Sequence, residues 1–433
     1  MSFVVPLAAA SDVAAVGGKA AALGELTRAG VAVPPGFAIT VAGFTAAMDA
    51  IDPGGALRSA VSRLDAADLA GIAAAGARLR SLVAGAAVPA EIAAVITASY
   101  AALSGSAGSS AAGDADVAVR SSATVEDSAD ASFAGLQDTY LGIRGAAAVL
   151  EHVARCWASL FNDESLTYRR RLGMDEAGVS MAVVVQEMVA PRAAGVMFTR
   201  SPVTGDRSVV AIEGTWGLGS ALVSGDVTPD SWVISKITGE ITTRRVSPKV
   251  KIHRFIPNAE YSFPCRVLGA TSPATPGKES SGVAPPSPAA VSSAGTDAAG
   301  TGNAGTDDAR NAGTDGAAAI AGPGAGAGTD GAAGGAVQVT DTPQELREAP
   351  CLTDDEIRAL AATARRVEAH YGAPQDIEWA VLDGGSDPAA RVVLLQSRPE
   401  TVWAAREPGP AGAPRPRAAD HVLALFGKQS RWT

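Results

Sequence analysis

Two short runs near the end of the chain carry polar side chains that could bind a metal ion and a phosphate. Asp376 and Glu378 lie two residues apart, as do Gln396 and Arg398. Strand side chains alternate between faces, so each pair shares one face of its strand. Oxygen ligands of this kind suit Mg²⁺, and a guanidinium beside them suits a phosphate. The alternative is a solvated sheet face with a surface ion pair.

The segment between these runs predicts how they are paired. Residues 384–390 read Gly-Gly-Ser-Asp-Pro-Ala-Ala, a turn-rich sequence that can close an antiparallel hairpin. With the centre of the turn near Asp387, Glu378 lies opposite Gln396 and Asp376 lies opposite Arg398. All four side chains would then form one patch.

A pair of glycines precedes a predicted helix near the N-terminus. Gly17 and Gly18 allow backbone N–H groups at the start of that helix to approach an anion, and Lys19 adds a positive charge. The spacing is not that of a Walker A loop. An exposed lysine beside a turn is the alternative explanation.

Two apolar strands in the middle of the chain end in polar residues. The first, from Val117, ends in Arg120-Ser121-Ser122 and leads through small and hydroxyl residues to Gly135. Arg120 and the backbone around Gly135 could bind phosphate oxygens, although an ordinary strand with a polar loop is the alternative. The second, Met181 to Val189, could offer its backbone edge to a purine ring, or could be plain core.

Taken in order, these segments resemble the ATP-binding region of the phosphoenolpyruvate synthase and pyruvate phosphate dikinase family. The resemblance is carried by GGKAAALGEL, VRSSATVEDSADASFAGLQDT, VVQEMV, GVMFTRSP, EGTWGLGSALVSGDVTPD, PCLTDDE and QDIEWAV…LLQSRPET, between Gly17 and Thr401. It implies an α+β fold of the ATP-grasp type, in which two subdomains clamp ATP. Residues 1–110 would form the first subdomain, and residues 111–257 with 336–403 would form the ATP-grasp core.

The resemblance also implies a role for each matching residue, with ATP and Mg²⁺ as the ligands. The catalytic cations would be Lys19, Arg120 and Arg398, which lie at the phosphates. Gly135 and Thr139 would belong to the loop that covers the phosphates. The adenine would be bordered by Gln186, Glu187 and Val189. Glu378 and Gln396 would ligate Mg²⁺, with Asp376 close to the nucleotide.

The phosphate carrier of the longer relatives is not recognisable here. In those relatives a histidine in a motif like GGxTSHAAIVAR, on a swivelling domain, carries phosphate, and a pyruvate-binding barrel follows. The histidines of this chain, His152, His253, His370 and His421, all lack that context. His152 falls instead on a predicted amphipathic helix, and His370 precedes a helix-ending glycine, Gly372.

Three functions are compatible with this pattern. The first is the ATP-binding part of a phosphoenolpyruvate synthase-like dikinase, an ATP-dependent phosphotransferase that passes phosphate to a histidine on a separate swivel-domain protein. The second is a truncated phosphoenolpyruvate synthase (pyruvate, water dikinase) whose other domains are encoded separately. The third is a non-catalytic ATP-binding regulatory module. Relatives use pyruvate, a phenol or an antibiotic hydroxyl as the acceptor, and the acceptor-selecting domain is not recognisable in this sequence.

The composition predicts a cytoplasmic protein. The chain has 433 residues, is 47% hydrophobic and carries a net charge of −10, which argues against nucleic-acid binding. No run of about 18 apolar residues predicts a membrane span, and no signal peptide is recognisable. The cysteines, Cys156, Cys265 and Cys351, are too far apart for a zinc or disulfide pattern, which predicts reduced thiols.

One segment departs from the family pattern. Residues 258–335 consist largely of Ala, Gly, Ser, Thr, Pro and Asp, with the sequence Ala-Gly-Thr-Asp recurring. Few large apolar side chains are present to offset chain entropy, so this insert is predicted to be disordered. A partner tether is the minor alternative. After the insert, Thr353 and Glu356 have the spacing of a capping box, and residues 404–433 form a tail.

Overall fold

A computed structural model of the chain describes residues 2–106, 114–123, 127–128, 131–132, 138–256, 336–401 and 403. The predictions made for the insert 258–335, for the tail 404–433 (Trp403 precedes it), and for Gly135, Cys265 and His421 lie outside these residues. The strands are β1 (Val4–Pro6), β2 (Gly36–Ile39), β3 (Asp116–Ala123), β4 (Asp127–Ser128), β5 (Ala131–Ser132), β6 (Thr139–Arg144), β7 (Met181–Glu187), β8 (Pro191–Phe198), β9 (Val209–Trp216), β10 (Asp230–Ser235), β11 (Ile241–Arg245), β12 (Lys251–Ile256), β13 (Ala336–Asp341), β14 (Gln375–Leu382) and β15 (Val392–Pro399). The α-helices are α1 (Val13–Arg28), α2 (Val41–Ile51), α3 (Ala56–Ser62), α4 (Leu69–Gly85), α5 (Ala90–Ser106), α6 (Ala146–Ser159), α7 (Asp163–Arg171), α8 (Ser220–Val223), α9 (Gln344–Arg347) and α10 (Asp354–Tyr371).

The first sheet has five strands in the order β1-β2-β7-β3-β6, all paired antiparallel. Helices α2 to α7 bury apolar side chains against one face of it, including the fully buried Trp157 and Phe161. Strands from both sides of residue 110 belong to this sheet. Along the chain, the change from the first sheet to the second occurs between β7 and β8.

The second sheet has six strands in the order β11-β10-β9-β8-β14-β15, again antiparallel throughout. One of its faces packs on α10, where Trp232 and Trp379 are fully buried. Antiparallel sheets combined with separate helices make this an α+β fold, as predicted. Helix α1 contributes Val16 and Ala20 to the same core and contacts strands of both sheets.

The hairpin register predicted from the sequence is confirmed. Strands β14 and β15 place Glu378 opposite Gln396 and Asp376 opposite Arg398. An irregularity follows Glu378, where the register shifts by one residue. The capping box is also confirmed, because the Thr353 hydroxyl accepts a hydrogen bond from the Glu356 N–H and the Glu356 carboxylate accepts one from the Thr353 N–H.

His152 and His370 make contacts within the fold, and Cys156 and Cys351 are buried in it. His152 lies on α6, where its Nδ1 is 2.7 Å from the carbonyl oxygen of Ala148. His370 lies near the end of α10, two residues before the left-handed Gly372, and its Nε2 is 2.5 Å from the Glu25 carboxylate. Cys156 and Cys351 are buried free thiols, as predicted for these two.

Among the described helices, none is by itself both long and apolar enough to cross a membrane. Helices α4 and α5, bent by 66°, reach the required length and composition only when taken together. Both contribute buried side chains, such as Ile72 and Ile96, to the core of the first sheet.

Strands β12 and β13 flank the insert, and their pairing predicts that the insert can be shortened. Ile256 pairs with Ala336, so the two ends of the insert are neighbours. A shorter loop costs less entropy to close, by about 0.6 kcal/mol for each halving of its length. Deleting Ser272 to Gly335 and joining the ends should therefore leave the melting temperature and nucleotide binding nearly unchanged. A fall of many degrees in a thermal melt would show instead that the insert packs on the fold.

Candidate functional site

Helix α1 begins at Val13, ahead of the glycine pair expected to precede it, and is interrupted at Gly17; this break is joined to the end of β3 through Ser122. Gly17 has φ +75°, and a Cβ there would lie 2.1 Å from the Ser122 carbonyl oxygen, so no other residue fits without a shift. The Ser122 hydroxyl donates to the carbonyl of Val16 at 3.0 Å and lies 3.3 Å from the N–H of Ala20. The glycine pair and the Arg-Ser-Ser run, 100 residues apart in sequence, are therefore adjacent. Lys19, half-buried, lies at this junction.

Arg120 crosses from the first sheet to the second. Its Nη2 donates to Glu378 Oε2 at 2.9 Å and to Gln396 Oε1 at 2.7 Å, and its Nη1 donates to the carbonyl of Leu395 at 2.9 Å. The side chain is 12% exposed, and its buried Nε finds no hydrogen-bond acceptor among the described residues. The guanidinium thus retains a donor for an additional acceptor.

The face of the second sheet that meets Arg120, called here the site face, consists of three cross-strand rows. Directly paired residues share a face, so the register defines each row. The inner row is Thr215, Ala194, Ala380 and Val393; the middle row is Glu213, Val196, Glu378 and Gln396; the outer row is Ala211, Phe198, Asp376 and Arg398. From strand rise the three rows span about 13 Å. The charged side chains therefore lie in the middle and outer rows, and the inner row is buried.

The segment that connects the two sheets borders the inner row. Val189 is buried and packs with Ala194, Ala380 and Val393. The Gln186 side chain is buried and donates to the carbonyl of Pro34 at 3.2 Å. Glu187 is buried as well, and its backbone N–H donates to the carbonyl of Pro35 at 2.9 Å. The three residues predicted to border an adenine thus lie together beside the apolar end of the site face.

The outer row holds a partly desolvated ion pair. Arg398 Nε lies 3.4 Å from Asp376 Oδ2, while Asp376 Oδ1 is buried without a hydrogen-bond donor among the described residues. Burial raises the pKa of Asp376 to about 6; Arg398 opposes this rise, and the neighbouring carboxylate of Glu400 adds to it. A buried carboxylate next to another carboxylate is stabilised by any further cation that binds there.

The oxygen atoms of Glu378 and Gln396 converge on one point, which Arg120 Nη2 occupies in this structure. The positively charged nitrogen stands where a cation would. One carboxylate and one amide oxygen fit Mg²⁺, which binds proteins through one or two such ligands and completes its shell with phosphates and water. Within the described ranges, no group of three or more His, Cys, Asp or Glu side chains is arranged to hold a metal.

Two predicted site residues remain, Thr139 and Gly135. Thr139 is half-buried and pairs directly with Arg120 across β3 and β6. Gly135 is outside the described residues. Sequence reasoning missed Ser122, although its place in the Arg-Ser-Ser run gave a signal. It also missed Glu213, although this residue opens the EGTWGLG run that carries part of the family resemblance.

Glu213 predicts a measurable dependence of stability on pH. Burial raises the pKa of this carboxyl above its ordinary value. The folded chain then binds the proton more tightly than the unfolded chain, so the stabilisation is present in acid and is lost as pH rises past the ordinary pKa of Glu. Glu213→Gln should therefore melt at a higher temperature than the unsubstituted chain at pH 7 and at a similar temperature below about pH 4.

The matched control for this substitution is Glu240→Gln, because Glu240 is an exposed glutamate in the turn between β10 and β11. It should not reproduce the rise at pH 7. A lower melting temperature of Glu213→Gln at neutral pH would contradict the assignment.

Comparison with known proteins identifies the family of the chain. The sequence profile of the family described as pyruvate phosphate dikinase, AMP/ATP-binding domain, matches residues 13–263 and 329–417, so the chain belongs to that family of ATP-binding domains. It is 36% identical over 390 residues to a probable phosphoenolpyruvate synthase of Methanothermobacter thermautotrophicus, a match that covers 90% of this chain and 44% of the relative.

Two further relatives show the range of the family. A rifampicin phosphotransferase of a Streptomyces species is 37% identical over 394 residues, which cover 90% of this chain and 35% of the relative. A phosphoenolpyruvate synthase of Aeropyrum pernix is 34% identical over 396 residues, which cover 90% of this chain and 41% of the relative. By name, two of these relatives are phosphoenolpyruvate synthases and one is a phosphotransferase, and the chain spans less than half of the length of each.

Proposed function

We propose that this chain is the ATP-binding, phosphate-transferring part of a phosphoenolpyruvate synthase-like dikinase. It would bind Mg-ATP in an ATP-grasp clamp, cleave it, and pass phosphate to a histidine on a separate swivel-domain protein. One observation carries the proposal. Arg120 of the first sheet meets Glu378 and Gln396 of the second, which gathers phosphate-binding and metal-binding groups at the place where the two sheets face each other.

The polarity of the site face supports one orientation of the nucleotide. The adenine would lie against Val189 and the buried inner row, beside Gln186 and Glu187 at the C-terminal end of β7, a strand whose backbone is paired on both sides and so offers no free edge. The triphosphate would then extend toward the middle and outer rows. There Arg120, Arg398 and Lys19 are the groups that can offset its negative charge.

Magnesium fits the pair of oxygen atoms on Glu378 and Gln396. When bound, it would offset the charge of the phosphates during transfer. Arg120 has a different task, since its fork-shaped donors can hold phosphate oxygens in a fixed position. Asp376 would hold Arg398 in place through their ion pair. Phosphoryl transfer needs positioning and charge stabilisation more than covalent help from the protein, and these side chains supply both.

The proposed partner is another protein whose histidine carries the phosphate. His152 and His370 are occupied by contacts on α6 and with Glu25, and His253 is buried between Ser220 and Asp226. These three described histidines are not among the residues of the site. A truncated phosphoenolpyruvate synthase completed by separately encoded domains would use the same site.

The acceptor is proposed to be chosen outside this domain. The relatives include phosphoenolpyruvate synthases and rifampicin phosphotransferases, which differ in acceptor by name but match the same stretch of this chain. A non-catalytic regulatory module remains the alternative of another class. It would bind ATP without passing phosphate to a histidine.

Titration calorimetry of the purified chain tests the first step. ATP should bind saturably in the presence of Mg²⁺ and more weakly when a chelator removes the metal, because the phosphates then lose one of their counter-charges. The absence of any heat of binding, confirmed by an unchanged melting temperature at saturating Mg-ATP, would refute the proposed function.

A further inference from the structure

The chain that leaves β15 folds back onto the loop that follows β8. The Trp403 indole N–H donates to the carbonyl of Pro202 at 3.0 Å, and the Trp403 backbone N–H donates to Glu400 Oε1 at 2.7 Å. Trp403 thereby ties the end of one site strand to the end of another. The residues of this contact, Arg200, Gly205, Glu400 and Trp403, are called here the Trp403 clamp.

Arg200 forms the centre of the clamp. Its guanidinium carbon lies 5.5 Å from the centre of a Trp403 ring, a cation–π distance. Its Nε donates to the carbonyl of Gly205 at 2.8 Å, and its Nη1 lies 3.7 Å from Glu400 Oε2. The Arg200 and Glu400 side chains are each 7% exposed. A buried ion pair of this kind holds its partners in place because separating them would leave an uncompensated charge.

The absence of a side chain at Gly205 leaves the space in which the Trp403 indole lies. Gly205 has a φ of +70°, a left-handed backbone conformation that residues with a side chain rarely adopt. A Cβ at this position would lie 2.8 Å from two ring atoms of Trp403. The ring therefore fills the space that any other residue would need, and a substitution at Gly205 must displace Trp403.

The clamp joins the ends of β8 and β15, two of the four strands that carry the outer row. Arg200 lies two residues after Phe198, and Glu400 lies two residues after Arg398. The strand ends are also tied through Gln375, whose N–H donates to the Thr199 hydroxyl at 2.7 Å. A displacement of residues 400–403 would thus be passed directly to the backbone of Arg398.

We propose that Arg200 and Trp403 are positioning residues that hold Arg398 and the outer row in register for the nucleotide phosphates. The proposal rests on the function proposed above. The contacts described above link these two residues to Pro202, Gly205 and Glu400. They fix the backbone directly after β15. The Arg398 side chain is then already ordered before the phosphates bind, so binding does not include the entropy cost of ordering it.

Two glycine substitutions separate this role from simple stability. Gly205→Ala and Gly239→Ala both force alanine into a left-handed conformation, with φ of +70° and +76° in the wild-type chain. Only the alanine side chain of Gly205→Ala would clash with Trp403, because nothing lies within 4 Å of a Cβ built at Gly239. Gly205→Ala should raise the Kd for Mg-ATP by about fivefold, as should Trp403→Ala, while Gly239→Ala leaves it unchanged.

Two further variants test whether the effects share one cause. The double variant Gly205→Ala with Trp403→Ala should have the Kd of Trp403→Ala alone, because both changes break the same contact. Trp403→Phe keeps an aromatic face for Arg200 and should lie between the unsubstituted chain and Trp403→Ala.

Hydrogen exchange in the nucleotide-free chain provides the readout that does not depend on ATP. The backbone amides of residues 396–398 should exchange faster in Gly205→Ala and Trp403→Ala than in Gly239→Ala. Faster exchange with an unchanged Kd would overturn the positioning role, as would unchanged exchange in both clamp variants. If the unsubstituted chain fails to bind Mg-ATP, the proposed function fails, and exchange alone then decides whether the clamp orders β15.

Discussion

Replacing Lys19 and Arg120 together by alanine is expected to weaken Mg-ATP binding at least about 100-fold, since each charge-assisted phosphate contact contributes about 1.5–3 kcal/mol. Arg120 is placed for this because it lies between the sheets and has a buried Nε without an acceptor among the described residues. Lys19 lies just after the break in α1, which Gly17 and Ser122 hold against β3. Calorimetry with ATP and Mg²⁺ measures the change directly.

The matched control removes the same two charge types elsewhere. Arg63 is exposed, and Lys251 pairs with Asp341 on the exposed part of β12. The double variant Arg63→Ala with Lys251→Ala should bind Mg-ATP as the unsubstituted chain does. Arg120→Lys is a milder test, because it keeps the charge and loses the paired donors. Undiminished binding by the Lys19 and Arg120 double variant would refute the site.

Transfer of phosphate to a histidine protein is expected to fall about 100-fold in Glu378→Gln, the size of effect seen when one electrostatic contact to a phosphoryl or oxyanion transition state is lost. The substitution preserves the shape of the side chain and the oxygen that faces Arg120, but it removes the charge that a metal ion requires. Gln396→Ala should act in the same direction because it removes the second oxygen ligand. Binding of ATP should change much less than transfer.

The experiment follows labelled phosphate from ATP to the histidine domain of a longer family member. Acid-labile label should appear on that domain and not on this chain. Glu151→Gln, which removes an exposed carboxylate paired with Arg155 on α6, is the control and should transfer normally. Stoichiometric labelling of this chain, or phosphoenolpyruvate made by it alone from ATP and pyruvate, would contradict the split arrangement. Saturable ATP binding without any transfer would favour the regulatory module.

Much of the local structure could be predicted from the sequence, because it depends on short-range rules. The alternation of side chains in β14 and β15, together with the turn-rich segment between them, was sufficient to predict the pairing of Glu378 with Gln396. The capping box at Thr353 and the helix end at Gly372 follow from hydrogen bonds within a few residues. The α+β class came from the family resemblance, since periodicity alone indicates only a mixture of helices and strands.

The strand order of the first sheet shows the limit of such reasoning. Strands β1 and β2 share this sheet with β3, β6 and β7, which follow much later in the sequence. Which strands are neighbours depends on how whole faces are buried, and a local pattern does not record this. Val189 illustrates the same point: its apolar side chain is typical of core, but it packs specifically on the inner row of the other sheet.

By itself the sequence determined which residues could bind phosphate or metal, because those capacities belong to side-chain chemistry and to spacing within a strand or a helix start. Tertiary structure alone decided that Arg120 reaches Glu378, 258 residues away in sequence, that Glu213 shares their row, and that Trp403 closes on Gly205. Contacts at such separations form only when distant strands and loops pack together in the folded chain. Their geometry is therefore set by the packing of the whole fold and not by any segment of the chain.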